Sequence, residues 1–406
     1  MSRITTLAVF ALLILVGTSA RMYSGSVDTE LTRISVPTQG EAGEPFLTRL
    51  PDGGVAASWI ERSDDVARLV FSRLQIDGAW SSPSEIASGS TWFVNWADVP
   101  SIAVHPDGSL IAHWLDRLGD ERYAYGVRFS LSDDGGDTWS DPDWLHEDRS
   151  PTEHGFASIV PHDAGFMAVW LDGNGYATER REMAVHARTI GTDGALGIET
   201  AVDSRTCDCC PTSLVDAGGG RLLSLYRDRS ADETRDIYVV AYENGSWSTP
   251  EPVASDGWSI NACPVNGPSA DVHDDNVVVG WFTMAGGAPE VRIAFSADAG
   301  RTFSDPIRTD LGRPAGRVAV RMLSPNEAVI LWLEGADPEN DQAQAGLLLR
   351  TVSRDGSLGE TIELANASAS RSTGYPRLER SDDGWVALWT VPGEPSTLAS
   401  ARITWE

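Results

Sequence analysis

Seven stretches decide the fold: GGVAASWIE (53–61), GSLIAHWLD (108–116), AGFMAVWLD (164–172), GRLLSLYRD (220–228), DNVVVGWFT (275–283), NEAVILWLE (326–334) and DGWVALWTV (383–391). Each opens at a turn residue, runs through about five apolar residues and reaches an aromatic. The aromatics are Trp59, Trp114, Trp170, Tyr226, Trp281, Trp332 and Trp389, separated by 55, 56, 56, 55, 51 and 57 residues. A repeat near 50 residues fits a four-stranded propeller blade. Within a unit, a first strand such as PSIAVHPDG (100–108) meets an Asp-Gly turn, the aromatic strand follows, and a polar loop leads to a third strand such as IYVVAYE (237–243). A short fourth strand such as EPVAS (251–255) ends the unit. The near-continuous apolar character of the aromatic strand suits burial on both faces. The expected fold is an all-β, seven-bladed propeller of four-stranded antiparallel blades, with six blades as the alternative.

The last unit is one strand short, and LTRISVPT (31–38) precedes the first unit without a partner. That segment is expected to supply the missing outer strand and close the ring, leaving no open sheet edge. Before it, Arg3, an apolar run over 7–16 and the small residues Gly17, Thr18, Ser19 and Ala20 fit a signal peptide over 1–20. Residues 21–406 then form one propeller domain, secreted or periplasmic, with no transmembrane segment once the signal is cleaved. The net charge of −28 opposes binding to nucleic acid or an anionic membrane surface. All 31 basic residues are Arg, so chemistry needing a Lys nucleophile or Schiff base is excluded.

Two segments carry the pattern S-x-D-x-G-x-[TS]-[WF]: Ser132, Asp134, Gly136, Thr138 and Trp139, then Ser296, Asp298, Gly300, Thr302 and Phe303. Degenerate copies stand at DGAWSSP (77–83) and NGSWSTP (244–250). The chain thereby resembles the Asp-box, or bacterial-neuraminidase-repeat, propellers, which include sialidases, and the resemblance covers essentially all of it after the leader. The box residues read as hairpin chemistry: Asp and Gly make the turn, and Ser and Thr satisfy the backbone. A sialidase, as the resemblance implies, needs an arginine triad, a Tyr nucleophile paired with Glu, an Asp acid and an early [FY]-R-I-P segment. Here the nearest early segment is Arg33-Ile34-Ser35-Val36-Pro37, and seven units stand where sialidases have six blades. An exo-sialidase activity is therefore an alternative reading.

The loops between second and third strands share a rim with the blade-to-blade crossovers, and that rim is where a ligand is expected. Asp116, Asp172 and Asp228 follow the aromatic strands of three consecutive units, accompanied by Arg117, Arg227 and Arg229, with Tyr226 beside them. They read as a solvated rim or as a polar pocket for a small molecule, a glycan or a metal ion. The crossovers also carry the four cysteines, Cys207, Cys209 and Cys210 in C-D-C-C-P-T and Cys263 in C-P-V-N-G-P. Adjacent blades bring the two segments together. Disulfides are the default in an exported chain, and four cysteines allow three connectivities. Thiolates this close instead suit a soft ion, copper or zinc, with no other cofactor implied. Met284, His154 and Tyr226 are possible further ligands. Three readings stand: a propeller binding a ligand or soft metal at the cysteine rim, a sialidase-type glycoside hydrolase, and a disulfide-braced scaffold for a protein partner.

Overall fold

The structure, a computed structural model, describes residues 29–336 and 345–405; the expected signal peptide lies outside them. Seven antiparallel sheets follow one another along the chain. Blade 1 comprises Glu41–Arg49, Val55–Ser63, Val66–Arg73 and Ser84–Gly89, and blade 2 begins at Ser101–Val104. Blade 3 runs from His154–His162 to Thr200–Thr206, blade 4 from Ser213–Asp216 to Glu251–Pro252, and blade 5 from Ser269–His273 to Ile307–Arg308. Blade 6 spans Pro314–Ser324 to Ile362–Asn366. Blade 7 is closed from the far end of the chain, because Thr29–Ile34 pairs antiparallel with Thr397–Trp405, from Thr29 opposite Trp405 to Ile34 opposite Ser400. The closing strand thus starts and ends earlier than 31–38. Blade 4 departs from the plan at its outer edge, where Ser246–Trp247 and Glu251–Pro252 are two short pieces on the same neighbour, Ile237–Glu243.

The period-long repeat produces this ring because each sheet is buried on both faces by its neighbours. Val278, Phe282, Val291 and Ile293 of blade 5 pack in one core against Val320, Ile330 and Trp332 of blade 6. The repeated aromatics Trp59, Trp170, Tyr226, Trp281 and Trp332 are all fully buried. Several of them are tethered by a nearby acid. Trp59 Nε1 donates to Glu61 at 3.1 Å, Trp170 to Asp172 at 2.8 Å and Trp332 to Glu334 at 2.7 Å. An indole N–H inside a core needs such a partner. A channel of about 520 Å³ runs along the axis, lined by the first strand of every blade. Among the described residues no helix is long and apolar enough to cross a membrane.

The Asp boxes close hairpins between third and fourth strands. Asp134 accepts from the Ser132 hydroxyl, the Thr138 N–H at 2.9 Å and the Thr138 hydroxyl at 2.6 Å. Asp298 repeats these contacts with Ser296 and Thr302. The residue after the box aromatic is also fixed. Ser81, Ser140, Ser248 and Ser304 each accept from a third-strand N–H at 3.0–3.1 Å, in the degenerate boxes as well as the full ones.

Candidate functional site

The two cysteine segments are crossovers, one between Thr200–Thr206 and Ser213–Asp216, the other between Glu251–Pro252 and Ser269–His273. They touch closely. A Cβ on Gly267 would lie 1.9 Å from the Pro211 carbonyl oxygen, so no side chain fits at that position of C-P-V-N-G-P. Asn266 is the clamp of the second segment: its Oδ1 accepts from Arg317 N–H at 2.7 Å and its Nδ2 donates to the Pro264 and Ala315 carbonyls. Arg227 ties both segments to blade 4. Its Nε donates to the Asn266 carbonyl at 3.0 Å, and its own carbonyl accepts from the Cys207 N–H at 3.0 Å. The rest of its guanidinium donates to the Arg235 and Phe282 carbonyls and lies over Trp258.

Three of the four sulfurs gather as a result. The thiols of Cys207, Cys209 and Cys210 lie within 4.8 Å of one another. Cys207 and Cys210 are 3.5 Å apart, and Cys263 stands on the crossover packed against theirs. All four are free, so no disulfide joins them. The shell is dry on one side: Cys209 and Val265 pack against Phe156, Tyr226 and Tyr375. On the other side Arg235 donates to Cys207 at 3.2 Å, its remaining arm held by Glu233 at 2.8 Å. Hydrogen bonds from Cys209 and Cys210, with Arg235 and Arg227 adding positive charge, hold the Cys207 thiol well below its usual range. Hydrogen bonding to Cys207 pushes Cys209 up, and burial pushes Cys210 up. The three thiols, with the Arg235 guanidinium on Cys207, thus form a compact and largely buried sulfur donor set.

The other expected rim residues divide. Asp172, Tyr226 and Arg227 are buried and committed to protein partners: Asp172 to His154, Trp170 and the Asn174 N–H, Tyr226 to Asp203 at 2.6 Å. Asp228 is partly exposed beside the Cys207 crossover, bridging to Thr206, and burial raises its carboxyl to about 7. Asp116 accepts from Thr91 at 2.6 Å in blade 2, and Arg117 covers Phe93. Arg229 pairs with Glu233 and Asp208. His154 stands with Asp148 and Asp172, in a different group from the cysteines. Met284 is exposed.

A feature without a sequence motif lies on the same rim. Tyr125 is fully buried, and its hydroxyl is 2.6 Å from Glu153 Oε1 and 3.0 Å from Asp98 Oδ2. Asp98 Oδ1 accepts from the Phe156 N–H at 2.8 Å, and Phe156 is held at φ 52° to deliver it. One phenol proton cannot serve two carboxylates, so one carboxyl carries a proton of its own. Burial raises Asp98 to about 7 and Glu153 to about 8, with the charge at Cys263 among the further causes for Glu153.

No family model matches the chain, and no curated protein matches it. Solved structures do resemble it. A protein of unknown function from Dyadobacter fermentans superposes with a TM-score of 0.54 at 16% identity, covering 93% of this chain and 98% of that one. The polysaccharide lyase Uly1 gives 0.52 at 11% identity, covering 87% and 88%. NanB, a sialidase of Streptococcus pneumoniae, gives 0.50 at 9% identity, covering 94% and 95%. At these identities the likeness shows a shared sialidase- and lyase-like propeller fold.

Proposed function

We propose that this chain is an exported propeller that binds one soft metal ion, copper or zinc, through the thiols of its blade crossovers. The observation that carries the reading is the convergence of Cys207, Cys209 and Cys210 within 4.8 Å, with Cys263 on the adjoining crossover. Soft thiolate donors select Cu(I) and Zn(II) over hard cations. Arg227, Asn266 and Gly267 hold the two crossovers in register, and Arg235 offsets the charge of Cys207. The test is elemental analysis with thiol counting on protein exported to an oxidising compartment and purified with metal supplied and no added reductant. One copper or zinc per chain is expected, lost in Cys207→Ser and Cys210→Ser. Two disulfides and no metal would overturn the reading in favour of a braced scaffold for a protein partner.

One observation favours glycoside chemistry as a second reading. Tyr125 and Glu153 form a 2.6 Å phenol–carboxyl contact, a pairing that sialidase chemistry uses. Against it, Tyr125 is fully buried, and Arg317 and Arg377 donate to backbone carbonyls. Release of sialic acid from a fluorogenic substrate, abolished by Glu153→Gln, would establish that reading.

A further inference from the structure

The four thiols differ in exposure in a way that follows their contacts. Cys263 is exposed, Cys209 is half-buried, and Cys207 and Cys210 are each 1% exposed. The compact group within 4.8 Å holds Cys207, Cys209 and Cys210, while Cys263 stands on the second crossover, which packs against the first where Gly267 meets Pro211. Exposure therefore falls in steps from Cys263 at the surface, through Cys209, to Cys207 and Cys210 in the core.

The loop around Cys263 is built to present it. On one side Ile260 N–H donates to the Glu233 carbonyl at 3.0 Å. On the other side the Val265 carbonyl accepts from the Tyr375 hydroxyl at 2.7 Å, and Asn266 is clamped as described. Between these anchors Asn261, Ala262 and Cys263 are all exposed. Asp208, paired with Arg229, is the carboxylate on the neighbouring crossover. On a chain of net charge −28, the mouth favours an approaching cation or cationic carrier.

The number of inner ligands bears on the metal. Structural zinc takes four ligands in a closed tetrahedron. Three mutually close thiols, two of them buried, with the fourth sulfur set outside, suit the soft monovalent ion better. We propose that Cys263 is the entry ligand of a Cu(I) relay: it takes the ion from a donor of thiolate or thioether chemistry at the rim and passes it through Cys209 into the Cys207–Cys209–Cys210 pocket. This rests on the metal-binding reading above. Each step is a ligand exchange. A copper–sulfur bond to the outgoing ligand breaks as one to the incoming thiolate forms, the incoming thiol's proton leaves to buffer, and copper stays Cu(I) throughout.

The experiment follows anaerobic transfer of Cu(I) from a coloured Cu(I)–chelator complex to the reduced full chain, recording both the rate and the equilibrium endpoint, with Zn(II) titrated in parallel. Wild type is expected to take one Cu(I) and to prefer it over Zn(II). Cys263→Ser is expected to reach the same endpoint within about twofold but roughly tenfold or more slowly, because affinity lives in the inner thiols and capture in the outer one. Cys210→Ser is expected to lose about a hundredfold or more in affinity. Cys263 is exposed, so its Ser variant should keep the wild-type thermal midpoint, which is measured alongside. If Cys263→Ser loses as much affinity as Cys210→Ser, Cys263 is a fixed fourth ligand and the relay is overturned. If neither rate nor endpoint changes, Cys263 is a bystander and the relay is equally overturned. Wild type that takes no Cu(I) and no Zn(II) would instead overturn the metal-binding reading itself.

Discussion

Glu153 shows how a single residue ties stability to pH on this rim. Its carboxyl is raised to about 8 in the folded chain, mainly by burial, against about 4.3 when unfolded. The stability associated with it is fully present below about pH 4 and is lost as pH rises towards 8, because the unfolded chain releases the proton first. Glu153→Gln removes that loss while still offering Tyr125 an acceptor. Its urea midpoint should fall less than that of wild type between pH 4 and 8.5, the gap growing by on the order of 1 kcal/mol per pH unit at most. Parallel curves would show that Glu153 is ionised throughout. This residue, with Asp98 and Arg235, was not legible in the sequence. Each lies on a different strand or loop from its partners and sits in no motif, so only the ring brings them together. The cysteines were legible because their clustering is local, and Gly267 and Asn266 stood beside one of them without a visible reason. Asp172, by contrast, shares a short-range arrangement with Glu61 and Glu334, in which the acid two residues after the tryptophan takes the indole N–H, whereas Asp116 in the same W-L-D pattern accepts from Thr91.

At the scale of the hairpin, the Asp boxes separate turn chemistry from packing. Gly136 has φ 95°, and a Cβ there would lie 2.4 Å from Phe71 Cζ in blade 1. Gly245, in a degenerate copy, has φ 80° but no atom within 4 Å of an added Cβ. Gly245→Ala therefore pays only the left-handed backbone cost, about 1 kcal/mol, whereas Gly136→Ala adds displacement of a core ring, for about 2–4 kcal/mol in all. Guanidinium midpoints of the two variants decide this, and equal losses would mean that Phe71 yields without cost. Asp298→Ala should cost about 1 kcal/mol near neutrality. Its carboxyl is lowered to about 2, so the loss should fade as pH drops from about 4 to 2, where the wild-type carboxylate is protonated too. The blades were readable in advance because their signal is repeated seven times and the aromatic strands are buried along nearly their whole length. Strand ends were less so. The two-piece outer edge of blade 4 and the bulged first strands of blades 1, 3 and 6, with register shifts at Gly43/Phe46, Gly155/Ser158 and Gly316/Ala319, interrupt the repeat without changing its hydrophobic period.

For the whole ring, everything depends on one seam. Thr29–Ile34 covers the last open edge, Thr397–Trp405, and Leu31 packs into the core shared by blades 6 and 7. Arg33 extends the seam sideways: it lies 4.9 Å over Trp389 of blade 7 and donates to the Leu364 carbonyl of blade 6. A propeller without this closure would carry an unpaired nine-residue edge, a template for pairing with a second copy. Removing residues 29–34 is therefore expected to lower the denaturant midpoint and to give concentration-dependent association by light scattering. Arg33→Ala keeps the strand and loses only the side-chain clasp, so it should cost about 1–2 kcal/mol without association. The thiol site lies in the crossovers flanking blade 4, several blades from the seam. If the ring is one cooperative unit, opening the seam should also lower metal occupancy at Cys207, Cys209 and Cys210. Unchanged occupancy in the seam deletion would show instead that blades 3 to 5 hold their crossovers without the closed ring.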